Sequence, residues 1–357
     1  MSIDVEVIAR VERNVGRLTL NRPAALHALN TGMCEIMIEA LLAWRDNPAV
    51  TLIMIDHSGE RGFCAGGDIR MLAESGAGDG VQARRFFFTE YRLNELLHRY
   101  PKPVVVIMDG VTMGGGVGLS MPARYRIATE LTTFAMPETG IGLFPDVGGG
   151  WYLPRLPGEA GLWLALTGAR LKAANCLELG IATHVVEGAR LRALKAIICH
   201  DPAATEEILT EFETAPGPAP IRPHLEAIDT VFSAPSVEAI LKTLLEDGSD
   251  WAIAQHDLLL TKSPQTLKVA YRQFRTGRAL ESFESNMAME YRIGVRVVAR
   301  HDFIEGVRAV IIAKDNAPRW RPETLDGVTD AILDEIFTPL PADQEWTPLL
   351  HNVRTPA

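Results

Sequence analysis

Two glycine-rich segments about fifty residues apart constrain this chain more than any other feature. They are Phe63-Cys64-Ala65-Gly66-Gly67-Asp68 and Met113-Gly114-Gly115-Gly116-Val117-Gly118, and each follows a strand-like apolar run. Two backbone N–H groups that converge on one carbonyl oxygen leave no room for side chains beside them, so glycine is expected at both donors of an oxyanion hole. Gly67 and Gly115 are the candidate donors, and Gly66, Asp68 and Gly114 beside them are candidate substrate contacts. Either glycine taken alone is as well explained by a tight turn; the order and spacing of the pair carry the reading.

Some twenty residues further on, the stretch Met136 to Gly149 holds Glu138 and, eight positions later, Asp146 in an otherwise apolar, glycine-rich loop. Paired carboxylates in apolar surroundings are suited to acid/base work, because burial shifts their pKa values towards neutrality. Each also has a plain rival. Glu138 after Pro137 fits a carboxylate at a helix N-terminus, and Pro145-Asp146-Val147-Gly148 is ordinary turn chemistry.

At 357 residues and 47% hydrophobic the chain can bury a large core, as one domain with an extension or as two smaller ones. Its net charge of −10 argues against a nucleic-acid partner. The apolar runs Pro103 to Met108 and Ala309 to Ala313 are too short to span a membrane, and no targeting segment is visible near the N-terminus. Cys34, Cys64, Cys176 and Cys199 have neither metal-ligand spacing nor the density of a disulfide scaffold, so a reducing, cytoplasmic location is expected. Cys64 has no neighbour that reads as its base, and the nine histidines show no ligand spacing, so neither a cysteine nucleophile nor a metal is expected. Nicotinamide, α/β-hydrolase and P-loop motifs are absent.

Alternation predicts two strands across Val5 to Leu20 with a turn at Arg13 to Gly16, then a helix capped by Asn30 or Thr31 whose apolar stripe runs from Met33 to Trp44. Thr51 to Ile55 and Pro103 to Met108 read as buried strands, Gly110 to Met113 as a turn, and Gly114 to Pro122 as the start of a helix whose N-terminus adds its dipole to the hole. Tyr125 to Ala128 and Thr133 to Ala135 supply further strands, and Leu162 to Leu166 and Ala173 to Leu179 read as helices. A proline-rich linker at 213–223 divides residues 1–212 from an almost wholly helical region at 224–320, and the proline-bearing tail 321–357 is expected to be poorly ordered. Periodicity by itself gives an α/β fold with consecutive crossovers.

The three motifs, together with Leu20-Asn21-Arg22-Pro23, Ala28-Leu29-Asn30, Met289-Glu290-Tyr291-Arg292 and the run from His301 to Ala309, resemble the crotonase (enoyl-CoA hydratase/isomerase) superfamily, and within it the 3-hydroxyisobutyryl-CoA hydrolase branch. The resemblance covers nearly the whole chain. It implies a spiral of repeated strand-strand-helix units followed by a helical C-terminal region, with trimers or hexamers as a possible assembly. It also implies an acyl-CoA substrate, with coenzyme A entering as part of that substrate and no permanently bound cofactor. Arg22 and Arg70, with Ala65, are the positions where it would place coenzyme A, and Glu90 is a candidate acceptor for an acyl 3-hydroxyl. Hydratases of this kind carry a second catalytic glutamate three residues after the central glycine of the GGG run, where this chain has Gly118. The hydrolases pair the loop glutamate with an aspartate eight residues on, as Asp146 stands to Glu138. The resemblance therefore implies thioester hydrolysis in valine breakdown, with a hydratase/isomerase or a non-catalytic coenzyme A-binding subunit as the other readings.

Overall fold

The computed structural model describes residues 5–349. The chain begins with a hairpin, β1 (Val7–Glu12) and β2 (Val15–Leu20), closed by Arg13 and Asn14. Helix α1 (Thr31–Arg45) follows, and Asn30 caps it by accepting from the Met33 amide, so its buried face of Met33, Met37, Leu41 and Trp44 is the one its periodicity marks.

Three strand pairs then build two sheets at once: β3 (Leu52–His57) with β4 (Gly62–Cys64), β5 (Val104–Met108) with β6 (Val111–Met113), and β7 (Tyr125–Ala128) with β8 (Thr133–Ala135). The first member of each pair enters a six-stranded sheet of order β1-β2-β3-β5-β7-β9, completed by β9 (His184–Val185), and the second enters a parallel three-stranded sheet β4-β6-β8. From β2 onward the large sheet is parallel. Its central strands are buried on both faces, which is why they read as unbroken runs such as Val104 to Met108. This is the expected spiral of strand-strand-helix units. The expected turn at Gly110 to Met113 is corrected: Val111–Met113 is a strand, as is Gly62–Cys64, because each finds a partner that lies in another turn of the spiral.

Helices fill the intervals. They are α2 (Ile69–Gly76), α3 (Val81–His98), α4 (Gly115–Ser120), α5 (Gly149–Tyr152), α6 (Ala160–Thr167), α7 (Ala173–Glu178), α8 (Leu191–His200) and α9 (Thr205–Phe212). Beyond residues 213–223 come α10 (Leu225–Phe232), α11 (Val237–Asp247), α12 (Asp250–Leu260), α13 (Pro264–Ala279), α14 (Phe283–Val297) and α15 (His301–Val307), the last running into a π-helical turn at Arg308–Ile312. One apolar cluster extends from Val7 to Trp346, so these later helices share the core of the spiral. Helix α14 lies along α3, and α13 lies on α5, where a side chain at Gly277 would meet the Gly150 carbonyl.

The expectation of a poorly ordered tail is corrected for residues 321–349, while 350–357 lie outside the described residues. Helix α16 (Asp330–Phe337) packs on α14, and Trp346 is buried with its indole N–H donating to the Phe88 carbonyl at 3.3 Å. Arg92 donates to the Thr347 carbonyl at 2.8 Å, and Arg292 pairs with Glu345 at 2.9 Å. Prolines rule out regular ladders but leave side chains free to bury, and one tryptophan with two ion-assisted contacts anchors the tail on α3 and α14. Trp346→Ala should therefore lower the unfolding free energy by about 3 kcal/mol or more in urea denaturation.

Candidate active site

The glycine segments meet because β4 and β6 are neighbours. A Cβ placed on Gly114 would lie 3.2 Å from the Gly66 Cα and 3.3 Å from a Glu138 carboxylate oxygen, so both backbones and the loop carboxylate come together at van der Waals distance. Gly66 and Gly114 have φ of +116° and +46°, conformations that favour glycine. Gly115 is the first residue of α4, where an amide has no acceptor within its own helix. Gly67 forms a parallel bridge with Leu29, which uses the Gly66 carbonyl and the Asp68 amide and leaves the Gly67 amide facing the other way. A side chain at Gly115 would stand 2.7 Å from Glu90 Oε1 and 2.9 Å from Leu29 Cδ1.

These residues line a cavity of about 490 Å³. Ala65, Gly66, Gly67, Gly114, Gly115, Glu90, Glu138 and Asp146 all reach it, which brings together eight of the residues singled out in the sequence. Glu90 projects from α3, Glu138 opens a short 3-10 turn (Glu138–Ile141), and Asp146 sits in the irregular segment before α5. All three carboxylates are buried. Asp146 Oδ2 accepts a hydrogen bond from the Tyr91 hydroxyl at 2.8 Å, whereas Glu90 Oε1 and Glu138 Oε2 are buried without a partner. Burial raises the Glu138 pKa well above the carboxylate range, and the charge of Asp146 adds to the shift. Burial likewise raises Glu90, again with Asp146, and pushes Asp146 up to about 6 against the pull of the Tyr91 hydrogen bond. The cavity thus holds carboxylates of raised pKa beside the Gly66-Gly67 and Gly114-Gly115 backbones.

Three expected contacts fall elsewhere. Arg22 pairs with Glu6 at 3.1 Å and with Asp68 at 3.0 Å, and Asp68 also caps α2 by accepting from the Met71 amide at 3.3 Å. Both fasten the Gly67 loop and do not line the cavity. Arg70 is exposed on α2, away from the lining. Among the described residues the cations that line the cavity are Arg170 and Lys262, which sequence reasoning missed because neither lies within a motif. Lys262 is half-buried beside Gly140, and burial lowers its pKa, with nearby Arg170 acting the same way. Tyr91 was also missed, although it follows Glu90 directly. Phe86 and Phe87 line the cavity as well as filling the core. Cys64 is buried, its thiol donates to the His27 carbonyl at 3.3 Å, and its pKa is pushed up to about 12, so it is inert.

Gly118 explains the missing second glutamate. A Cβ there would be 2.6 Å from Val147 Cβ and 2.7 Å from Asn94 Nδ2, so neighbouring side chains occupy the place a longer residue would need.

An enoyl-CoA hydratase/isomerase family model matches residues 15–337, and the chain belongs to that family. It is 45% identical over 334 residues to the 3-hydroxyisobutyryl-CoA hydrolase, mitochondrial, of Xenopus tropicalis, covering 91% of this chain and 86% of that one. It is 41% identical over 344 residues to the enzyme of the same name from Homo sapiens, covering 94% and 89%. Among solved structures, it superposes with a TM-score of 0.91 on a carnitinyl-CoA dehydratase from Mycobacterium thermoresistibile, at 39% identity over 96% of this chain and 98% of the other. An enoyl-CoA hydratase from Rhodobacter sphaeroides gives a TM-score of 0.87 at 37% identity, over 96% and 100%. The relatives' names point to mitochondria and overturn the cytoplasmic expectation. Four buried free thiols were no argument between two such compartments.

The raised pKa of Glu138 carries a stability consequence. Its native form holds a proton more tightly than the unfolded chain does, so stability falls as pH rises above the unfolded value of 4.5. Glu138→Gln lacks this term and should unfold about 2 °C or more above the native protein at about pH 8, with the gap closing towards about pH 4.5 in calorimetry.

Proposed function

We propose that this protein hydrolyses the thioester of 3-hydroxyisobutyryl-CoA, a step of valine breakdown, at the cavity formed by Gly67, Gly115, Glu138 and Asp146. The observation that carries the reading is the pairing of Glu138 with Asp146 in one cavity while the space beside Gly118 is closed. The substrate named for the curated relatives supports the choice of acyl group.

On this reading the thioester carbonyl oxygen accepts from the Gly67 and Gly115 amides, each worth about 3 kcal/mol as negative charge develops. Glu138 takes the proton of an attacking water, or itself attacks to form a mixed anhydride that water then opens. Either route consumes one water. The carbon–sulfur bond breaks, its electron pair leaves on the coenzyme A sulfur, and that sulfur takes up a proton. Burial raises the basicity of Glu138, which makes its carboxylate a stronger acceptor for the proton of water. Asp146, fixed by Tyr91, and Glu90 face the acyl group, where a 3-hydroxyl would meet their oxygens. Lys262 and Arg170 supply cations for the coenzyme A phosphates in a chain that is otherwise acidic.

Hydration is the second reading, favoured by the names of the two solved structures. The hydratase pattern uses a second glutamate at the position of Gly118, and that site leaves no room for one.

With 3-hydroxyisobutyryl-CoA the purified protein should release free thiol, and with crotonyl-CoA it should leave the enoyl absorbance nearly unchanged; the reverse pattern would establish a hydratase. Glu138→Gln should reduce kcat by about a thousandfold while coenzyme A binding, read by calorimetry, stays near normal. Lys262→Ala should raise KM about tenfold and leave kcat within about twofold, the pattern of a lost ground-state phosphate contact.

A further inference from the structure

The motif Met289–Arg292 carries no part in the chemistry above, yet it places a buried carboxylate directly beneath the Asp146 segment. Glu290, on α14, is wholly inaccessible to solvent. Its Oε2 accepts from the Gly148 amide at 2.8 Å. Its Oε1 accepts from the Gly150 amide and from Asn286 Nδ2, both at 2.8 Å, and from Gln273 Nε2 at 3.1 Å. The same Gln273 nitrogen donates to the Pro145 carbonyl at 2.7 Å. The backbone is therefore gripped at the residue before Asp146 and again at two and four residues after it.

The grip matters because Tyr91 holds the Asp146 side chain while the backbone that carries it lies outside any regular element. Residues 143–146 belong to no helix or strand, and Gly148 takes φ of +93° to turn the chain into α5. Four donors converge on the two oxygens of Glu290, so exchanging either oxygen for an amide NH2 would set donor against donor. A shift of about 1 Å in a catalytic group is enough to cost two orders of magnitude in rate.

We infer that Glu290 and Gln273, contributed by the C-terminal helices, are positioning residues that hold Asp146 in register with Glu138 and the Gly67 and Gly115 amides. This rests on the hydrolase reading and adds to it a task for the C-terminal region: α13 and α14 act as the mould in which the catalytic segment is set. A plain structural role, in which Glu290 merely caps α5, predicts the same fold stability but no coupling to Asp146.

A double-mutant cycle separates the two. Thiol release from 3-hydroxyisobutyryl-CoA is followed for the full chain as wild type, Glu290→Gln, Asp146→Asn and the double variant, with the unfolding midpoint of each recorded. Glu290→Gln is expected to lower kcat about tenfold or more with KM within about threefold, and to cause less than about a twofold further loss when Asp146 is already Asn. A Glu290→Gln kcat within about twofold of wild type, or an equal fold-loss in both backgrounds, overturns the inference. If Glu290→Gln does not fold, Gln273→Met, which removes the Pro145 contact at similar volume, takes its place in the cycle under the same criteria. Absence of thiol release by the wild type, or an Asp146→Asn variant as active as wild type, overturns the hydrolase reading and the inference with it, and is told apart because it is seen before Glu290 is altered.

Discussion

Three carboxylates buried in one cavity are the constraint around which this molecule is organised. Glu90, Glu138 and Asp146 lose most of their hydration on folding, and the charge of Asp146 raises the cost of ionising the other two. Among the described residues only one has a side-chain donor, the Tyr91 hydroxyl on Asp146. Such a cluster lowers stability, and it persists because the surrounding fold holds it more firmly than the carboxylates repel. Glu90 and Glu138 line the cavity, and among the described residues neither Glu90 Oε1 nor Glu138 Oε2 has a hydrogen-bond partner.

The spiral and the C-terminal helices divide the work of holding. The spiral sets the backbone amides: β4 and β6 run side by side, so the glycines that follow them meet, and Arg22 with Asp68 ties the first of these loops to the N-terminal hairpin. The later helices set the carboxylate loop. Asp302 on α15 accepts from Ser263 at 2.5 Å, its carbonyl lies against Gly142, and Gly306 lies against Ile141, so the Glu138 turn is braced from the same side that Glu290 braces Asp146. Two sequence motifs more than a hundred residues beyond Asp146 thereby find a physical purpose.

Much of this is legible in the chain. Strand runs such as Val104 to Met108 and the Asn30 cap of α1 follow from local rules, and the glycine pair with Glu138 and Asp146 marks the cavity by residue type and spacing alone. Local rules fail where the deciding partner is remote. Gly62–Cys64 and Val111–Met113 are too short to signal strands, and become strands only by pairing across turns of the spiral. The arginines next to the motifs look like coenzyme A contacts by proximity in sequence, yet Arg22 spends its charge on Glu6 and Asp68 while Lys262 reaches the cavity from the far side of the chain. The tail reads as loose from its prolines, and Trp346 buries it against α3.

By itself the sequence determined the kinds of group present: glycines that permit backbone to approach backbone, and carboxylates set among apolar residues. Those are properties of residue type and spacing, and they survive without knowledge of the fold. Tertiary structure alone decided which groups meet and in what ionisation state, because burial, the Tyr91 hydrogen bond and the grip of Glu290 on the Asp146 segment all come from elements distant in sequence. Desolvation and hydrogen-bond geometry are through-space quantities, fixed only once the chain has closed on itself.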